Sequence, residues 1–370
     1  MAKNKHPFFV VVMGVIVLVG LFFLAAWIRF LYTPLITDVK GLEYTVPQGA
    51  SLQSVNKDLR LRGIVTQPIF FDFLLTLKKH GRVLKAGEYF FQKGATPSKI
   101  IEQLMTGTGL AYRSFTILPG WRFSRLRAAL DQQQTLQHTT QTLSDDEIMH
   151  QLGNSGLNPE AQFYPDTYFY VKNSSDLVLL KRAFQLMQIK FNAAWLKRDA
   201  GLYYQTPLEA LTAASLIEKE TSLDRERPVI SGVLINRLRA GIPLQIDPTV
   251  IYAIGAQYTG VLHRSDLAFK SPYNTYVNIG LPPGPIAIPS MASIQAALHP
   301  AQHEYYYFVA INGEKDGHRF SKTLAEHNNA ISAWKETRAK NSFFNAVLIQ
   351  RYYLAAQNRM NKIKSSPLSS

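Results

Sequence analysis

The chain has 370 residues, of which 46% are apolar, with a formal charge of +14 and no cysteine. The missing cysteine excludes disulfides, thiolate nucleophiles and cysteine-ligated zinc, and the length allows two domains with a sizeable core. The positive charge suits an anionic partner, but Lys and Arg are spread along the chain instead of forming one arm, which argues against a nucleic-acid binder.

The first element is an uncharged apolar run from Pro7 to Ile28. At about 1.5 Å per residue it is long enough to cross a hydrocarbon core of roughly 30 Å. It exceeds the roughly 7–15 residues of a signal-peptide core, so a retained single-pass anchor is expected instead of a cleaved leader. Trp27 and Tyr32 stand where an interfacial belt would lie. Lys3 and Lys5 on one side nearly balance Arg29 and Lys40 on the other, so charge alone leaves the orientation open.

After a linker at 33–43, Tyr44–Leu59 reads as a strand, a Pro47–Gly49 turn and a helix capped by Ser51. A helix ending at Gly81 follows, then a strand within Leu84–Gly94. Next comes a helix with Pro97 at its first position and Gly107 just past its end. This is a small α+β module with no catalytic cluster. From Tyr112 a larger, mainly helical α+β region begins. It contains a Pro119–Gly120 turn, a helix from Ser144, an aromatic stretch at Gln162–Val171 and a long helix over Asp176–Leu196. The aromatic stretch suits either a core or stacking on sugar rings.

Thr206-Pro207-Leu208-Glu209 is a capping box with proline at N1, so a helix is expected from Pro207 to about Thr221. It carries two glutamates near its end. At about 100° per residue, Leu211 and Glu218 fall within about 20° of each other, which puts Glu218 on the inward stripe and Glu220 on the opposite, outward face. A poorly hydrated carboxyl has a raised pKa and can deliver a proton near neutral pH. The alternative for Glu218 is a structural ion pair with Arg225, Arg227 or Arg237.

A helix over Pro228–Gly241 follows, then Leu244–Ala253 with alternating apolar residues, where Asp247 before Pro248 reads equally as a helix cap or a site residue. The segment Ser271–Ser290 places Tyr273, Asn274, Thr275 and Tyr276 in a row ahead of a proline–glycine loop, a set of hydrogen-bonding and ring-face groups of the kind sugars use. His299, His303, His318 and His327 lack metal-ligand spacing, so no metal is expected.

The motifs EKET (218–221), NRL (236–238), LQIDPTVIYA (244–253), YNTY (273–276), GLPPGPIAIP (280–289), ALHP (297–300) and YYYFVA (305–310) resemble, in order and spacing, the YceG-like family of endolytic murein transglycosylases. FYPDTY (163–168) and the single anchor agree. The resemblance implies a stub and anchor (1–32), a LysM-like module (33–110) and a catalytic domain (111–335); the tail (336–370), which reads as basic and helical or frayed, is longer than is usual in the family. Many relatives carry an acidic residue at the turn 119–121, and this chain has none.

The implied reaction cleaves the bond between N-acetylmuramic acid and N-acetylglucosamine within peptidoglycan strands, leaves 1,6-anhydro ends and sets strand length. Glu218 is then the expected acid and base. Asn236, Gln245, Asp247, Tyr252, Tyr273, Asn274 and Thr275 are expected to hold the sugars, with no cofactor. The resemblance further implies a single-pass protein of the inner (cytoplasmic) membrane with its catalytic domain facing the wall, and peptidoglycan synthases as partners. The rival readings are a hydrolytic muramidase and a non-catalytic wall-binding scaffold.

Overall fold

The computed structural model describes residues 6–47, 49–78, 84–311 and 317–335. The expected helix stop at Gly81, the flanking charges Lys3 and Lys5, and the tail 336–370 lie outside the described residues. The elements run α1 (His6–Tyr32), β1 (Leu42–Val46), α2 (Leu52–Leu61), α3 (Pro68–Lys78), β2 (Gly87–Phe91), α4 (Pro97–Thr106) and β3 (Tyr112–Thr116). Then come α5 (Phe123–Asp131), β4 (Leu136–Gln137), α6 (Asp145–Gln151), β5 (Thr167–Val171), β6 (Ser174–Ser175) and α7 (Asp176–Trp195). The chain continues through α8 (Pro207–Glu220), α9 (Arg227–Arg239), α10 (Asp247–Ile254), α11 (Met291–Leu298), β7 (Tyr307–Ala310) and β8 (His318–Ser321), with a helical run at 324–335. The class is mixed α+β.

Two compact units emerge. The first holds Met1–Phe115, Gln134–Gln137 and Phe169–Ser175; the second holds the remainder. In the first, β1 and β2 pair antiparallel with Tyr44 opposite Tyr89. Alternation turns Tyr44, Val46, Tyr89 and Phe91 inward onto Ile100, Ile101 and Leu104 of α4 and Phe71 and Leu74 of α3. Helix α4 starts and stops where its cap chemistry dictates. The Thr96 hydroxyl accepts from the Lys99 N–H, Pro97 occupies the first turn, and Gly107 closes the helix at φ +80, a left-handed conformation that glycine adopts without a Cβ penalty. Helix α1 contains a 24-residue apolar stretch, Phe9–Tyr32, of mean hydropathy 3.0. Its end packs into this unit: Phe30 is buried, and Trp27 stacks on Phe30 with ring centroids 5.7 Å apart.

In the second unit α8 is the central helix, packed against α9, α10 and α11. Ala210, Ala213 and Ala214 of α8 and Ala296 and Ala297 of α11 are buried in one cluster, small residues that let the two contacting helices come close. Phe163 is fully buried and stacks on Phe123 at 5.0 Å, while Tyr168 and Tyr170 are also buried, so the aromatic stretch serves mainly as core. Strands β7 and β8 pair antiparallel with Ala310 opposite His318. His318 therefore stands on a strand, at the start of β8.

Candidate active site

Helix α8 begins as expected. The Glu209 N–H donates to the Thr206 hydroxyl at 3.2 Å, and the Thr206 N–H donates to the Glu209 carboxylate at 3.0 Å. Every residue from Ala210 to Ile217 is buried. A helix buried on all sides has no solvent face, so rotation about its axis does not separate an inward glutamate from an outward one. That is why the structure reverses the expected placement of the two carboxyl groups.

Glu218 is a clamp. Its Oε2 accepts from the Ser290 N–H at 2.9 Å, the Ser290 hydroxyl at 2.6 Å and the Ser293 hydroxyl at 2.7 Å. Its Oε1 lies 3.8 Å from the Arg227 guanidinium, and the side chain is only 8% exposed. Ser290 is the N-cap of α11, so this carboxyl ties the end of α8 to the start of α11. With its oxygens engaged in this way it is held inside the fold and not presented to a groove. These contacts match the structural alternative for this residue, with Arg227 as the ionic partner.

Glu220, two residues on, lines a cavity of about 310 Å³ with Arg237, Gln245, Asp247, Tyr276, His318 and His327. Burial first, and then the Asp247 carboxylate, push its pKa up to about 8. At neutral pH it therefore carries its proton. Asp247 is the first residue of α10 and does not cap it; its Oδ1 accepts from the Tyr276 hydroxyl at 2.5 Å. Gln245 adopts φ +54, a left-handed conformation unusual for a side-chain-bearing residue. Its N–H donates to the Thr275 carbonyl at 3.0 Å, and its Oε1 accepts from Arg237 at 3.2 Å. Arg237 also donates to the carbonyls of Tyr306, Pro243 and Leu244, which fixes the cavity floor.

A buried carboxylate braces the rim. Glu226 accepts from the His318 N–H and from His318 Nδ1, each at 2.8 Å, and from the Thr221 hydroxyl at 3.2 Å. Burial acts to raise its pKa, but these donors outweigh burial and hold it below the usual carboxylate value. An ionised Glu226 keeps the proton on Nδ1 of His318, which leaves Nε2 as the ring nitrogen available in the cavity. A Cβ at Gly317, where φ is +82, would collide with Glu226, so the close approach depends on that glycine.

The remaining expected sugar contacts divide in two. Asn236, Asn274 and Thr275 are corrected to internal braces. Asn236 donates to the His303 and Tyr305 carbonyls. Asn274 is fully buried and donates to the Leu267 and Phe269 carbonyls. Thr275 is 1% exposed; its hydroxyl accepts from the Ile246 N–H and shares a hydrogen bond with Thr249. Their bonds to backbone groups are the reason: each pins a distant or neighbouring stretch of chain.

Tyr252 and Tyr273 belong to a second cluster, ring centroids 4.8 Å apart, with the Arg122 guanidinium 4.7 Å over Tyr252. The Tyr252 hydroxyl donates to Glu160 at 3.4 Å, and the Phe123 N–H donates to the same carboxyl at 3.0 Å. Burial pushes the Glu160 pKa up to about 7 against these donors and Arg122. Glu160, Glu226 and the cavity positions of His318 and His327 carry no such expectation from the sequence, whereas Tyr276, one of the row 273–276, does line the cavity. For Glu160 the available signal was an acid three positions before the buried Phe163.

A family model described as the YceG-like family matches residues 44–333. The protein from Bacillus subtilis (strain 168) named endolytic murein transglycosylase is 32% identical over 321 residues, covering 82% of this chain and 87% of the relative. A protein of the same name from Streptococcus pneumoniae (strain ATCC BAA-255 / R6) is 27% identical over 332 residues; the match takes in 77% of this chain but only 58% of that relative. The crystal structure of a YceG-like protein from Listeria monocytogenes superposes with a TM-score of 0.51 at 27% identity, covering 79% of this chain and 99% of that one. The motifs, the fold and the extent of these matches agree: the chain belongs to the YceG-like family.

Proposed function

We infer that this chain is an endolytic lytic transglycosylase that cleaves the N-acetylmuramic acid–N-acetylglucosamine bond within peptidoglycan strands, with Glu220 as its acid. The observation that carries the assignment of Glu220 is a carboxyl group kept protonated at neutral pH on the wall of an open cavity. Glu220 gives its proton to the bridging oxygen as the C1–O bond breaks. The C6 hydroxyl oxygen of the same muramic residue bonds to C1, and its proton passes to the Glu220 carboxylate. The acid is regenerated, no water is consumed and a 1,6-anhydro end is left. Asp247, beside it, offers negative charge to the oxocarbenium-like transition state. Gln245 and His318 supply hydrogen-bonding groups to the sugars.

Two carboxyl groups in one cavity also fit a hydrolase, with Asp247 activating water. The Tyr276 hydroxyl already engages Asp247 at 2.5 Å, which favours the transglycosylase. In this reading α1 spans the cytoplasmic membrane and places the catalytic domain on the wall side, residues 33–110 act as a LysM-like module, and cleavage sets strand length beside peptidoglycan synthases. Digestion of purified sacculi by the full chain, with products read by mass, tests the chemistry. Wild type should release anhydro ends and Glu220→Gln none; reducing ends in their place would make the enzyme a muramidase, and full activity in Glu220→Gln would remove Glu220 from the mechanism.

A further inference from the structure

Helix α3 carries two apolar faces. Phe71, Leu74 and Leu75 point into the core of the first unit and are buried. Ile69, Phe73 and Leu77, four residues apart and therefore on one stripe, are 81%, 53% and 58% exposed. A helix at the surface of a water-soluble domain needs only one apolar face. A second stripe of large apolar side chains calls for an apolar covering.

What covers it follows from its neighbours. The Phe73 ring meets Trp27 edge-on at 5.0 Å, and Phe70 meets the same indole at 5.8 Å. Trp27 lies towards the end of the apolar stretch Phe9–Tyr32 of α1, whose side chains from Phe9 to Ala25 are exposed. The lipid-facing surface of α1 thus passes through an indole, the side chain that favours the bilayer–water boundary, directly onto the outer stripe of α3. Phe30, 2% exposed and packed against Phe70, fixes the end of α1 to the same unit, so this junction is not a loose tether.

We propose that α3 is an interfacial helix: its Ile69–Phe73–Leu77 stripe sits among the headgroups and upper acyl chains of the bilayer that α1 crosses. The first unit therefore rests on the membrane surface. Such helices bury their apolar face about 5–10 Å into the boundary region. The proposal depends on α1 being a span, and the test separates the two.

The natural chain has no cysteine, so single cysteines carrying an environment-sensitive fluorophore report one position each. Full-length Ile69→Cys, Leu77→Cys, Val17→Cys and Lys99→Cys are labelled and reconstituted in phosphatidylcholine–phosphatidylglycerol vesicles containing brominated lipids. Bromines high in the acyl chain should quench labels at 69 and 77 at least about twofold more than the label at exposed Lys99, as shallow burial requires. Deep bromines should quench the label at Val17. Equal quenching at 69, 77 and 99, with Val17 quenched, would show that α1 spans but α3 stands clear of lipid. Cross-linking between copies through 69 and 77 without quenching would assign the stripe to a second copy and overturn the proposal. An unquenched Val17 would remove the span and the proposal with it.

Discussion

Replacing Glu220 with glutamine should stabilise the protein in mild alkali and abolish its activity. The ordinary glutamate value is 4.5, and the cavity raises it to about 8. Between those values the folded state holds a proton that the unfolded state has released, so wild-type stability falls as pH rises through that window. The full interval, at about 1.4 kcal/mol per pH unit, caps the loss near 5 kcal/mol. Glu220 is half-buried beside an open cavity, and water entering there reduces the penalty, so about 2 kcal/mol is the working expectation. Glutamine keeps the shape and has no charge to desolvate. Urea melts of the full chain in detergent micelles, wild type against Glu220→Gln, should coincide below about pH 4, where both side chains are neutral, diverge above it, and level off once pH passes about 8. A constant difference across that range, or a variant less stable at pH 9, would refute the view that Glu220 is a desolvated acid.

Since the acid must carry its proton, the rate of sacculus digestion should fall as pH passes about 8; a rate that keeps rising beyond that point would exclude Glu220 as proton donor. Glu218→Gln should have the opposite stability signature to Glu220→Gln. It leaves one of the Ser290, Ser293 or Arg227 donors facing an amide, costs about 1–3 kcal/mol, and lowers the melting temperature at neutral pH. His318→Asn keeps a donor for Glu226 at the Nδ1 position and deletes Nε2. Its melting curve should match wild type, while kcat/KM drops about tenfold, the value of one hydrogen bond of roughly 1.4 kcal/mol; unchanged kinetics would remove His318 from substrate contact.

Local signals in the sequence were readable wherever the backbone and a neighbouring side chain decide the outcome. The Thr206–Glu209 box and the Thr96, Pro97 and Gly107 set fix the starts of α8 and α4 and the end of α4 through groups within four residues of one another. Ser144 behaves the same way at the start of α6. The linked motifs from 218 to 310 were sufficient to identify the family. The assignment of Glu218 and Glu220 was not readable, because it depends on α11 and α10 both packing against α8, and Ser290 and Asp247 lie 72 and 27 positions from the glutamates they engage. Asn274 looked like a sugar contact because its partners, the carbonyls of Leu267 and Phe269, carry no side-chain signature.

The adjacency of the two glutamates complicates how function is assigned by mutagenesis. Knocking out either member of EKET is expected to silence the enzyme, one by removing the reacting group and the other by loosening the scaffold that aims it. An activity screen would score them alike, and a loss-of-function map of this motif would overcount its chemistry by one residue. Only a measurement of folding, taken alongside turnover, separates the tool from the vise that grips it.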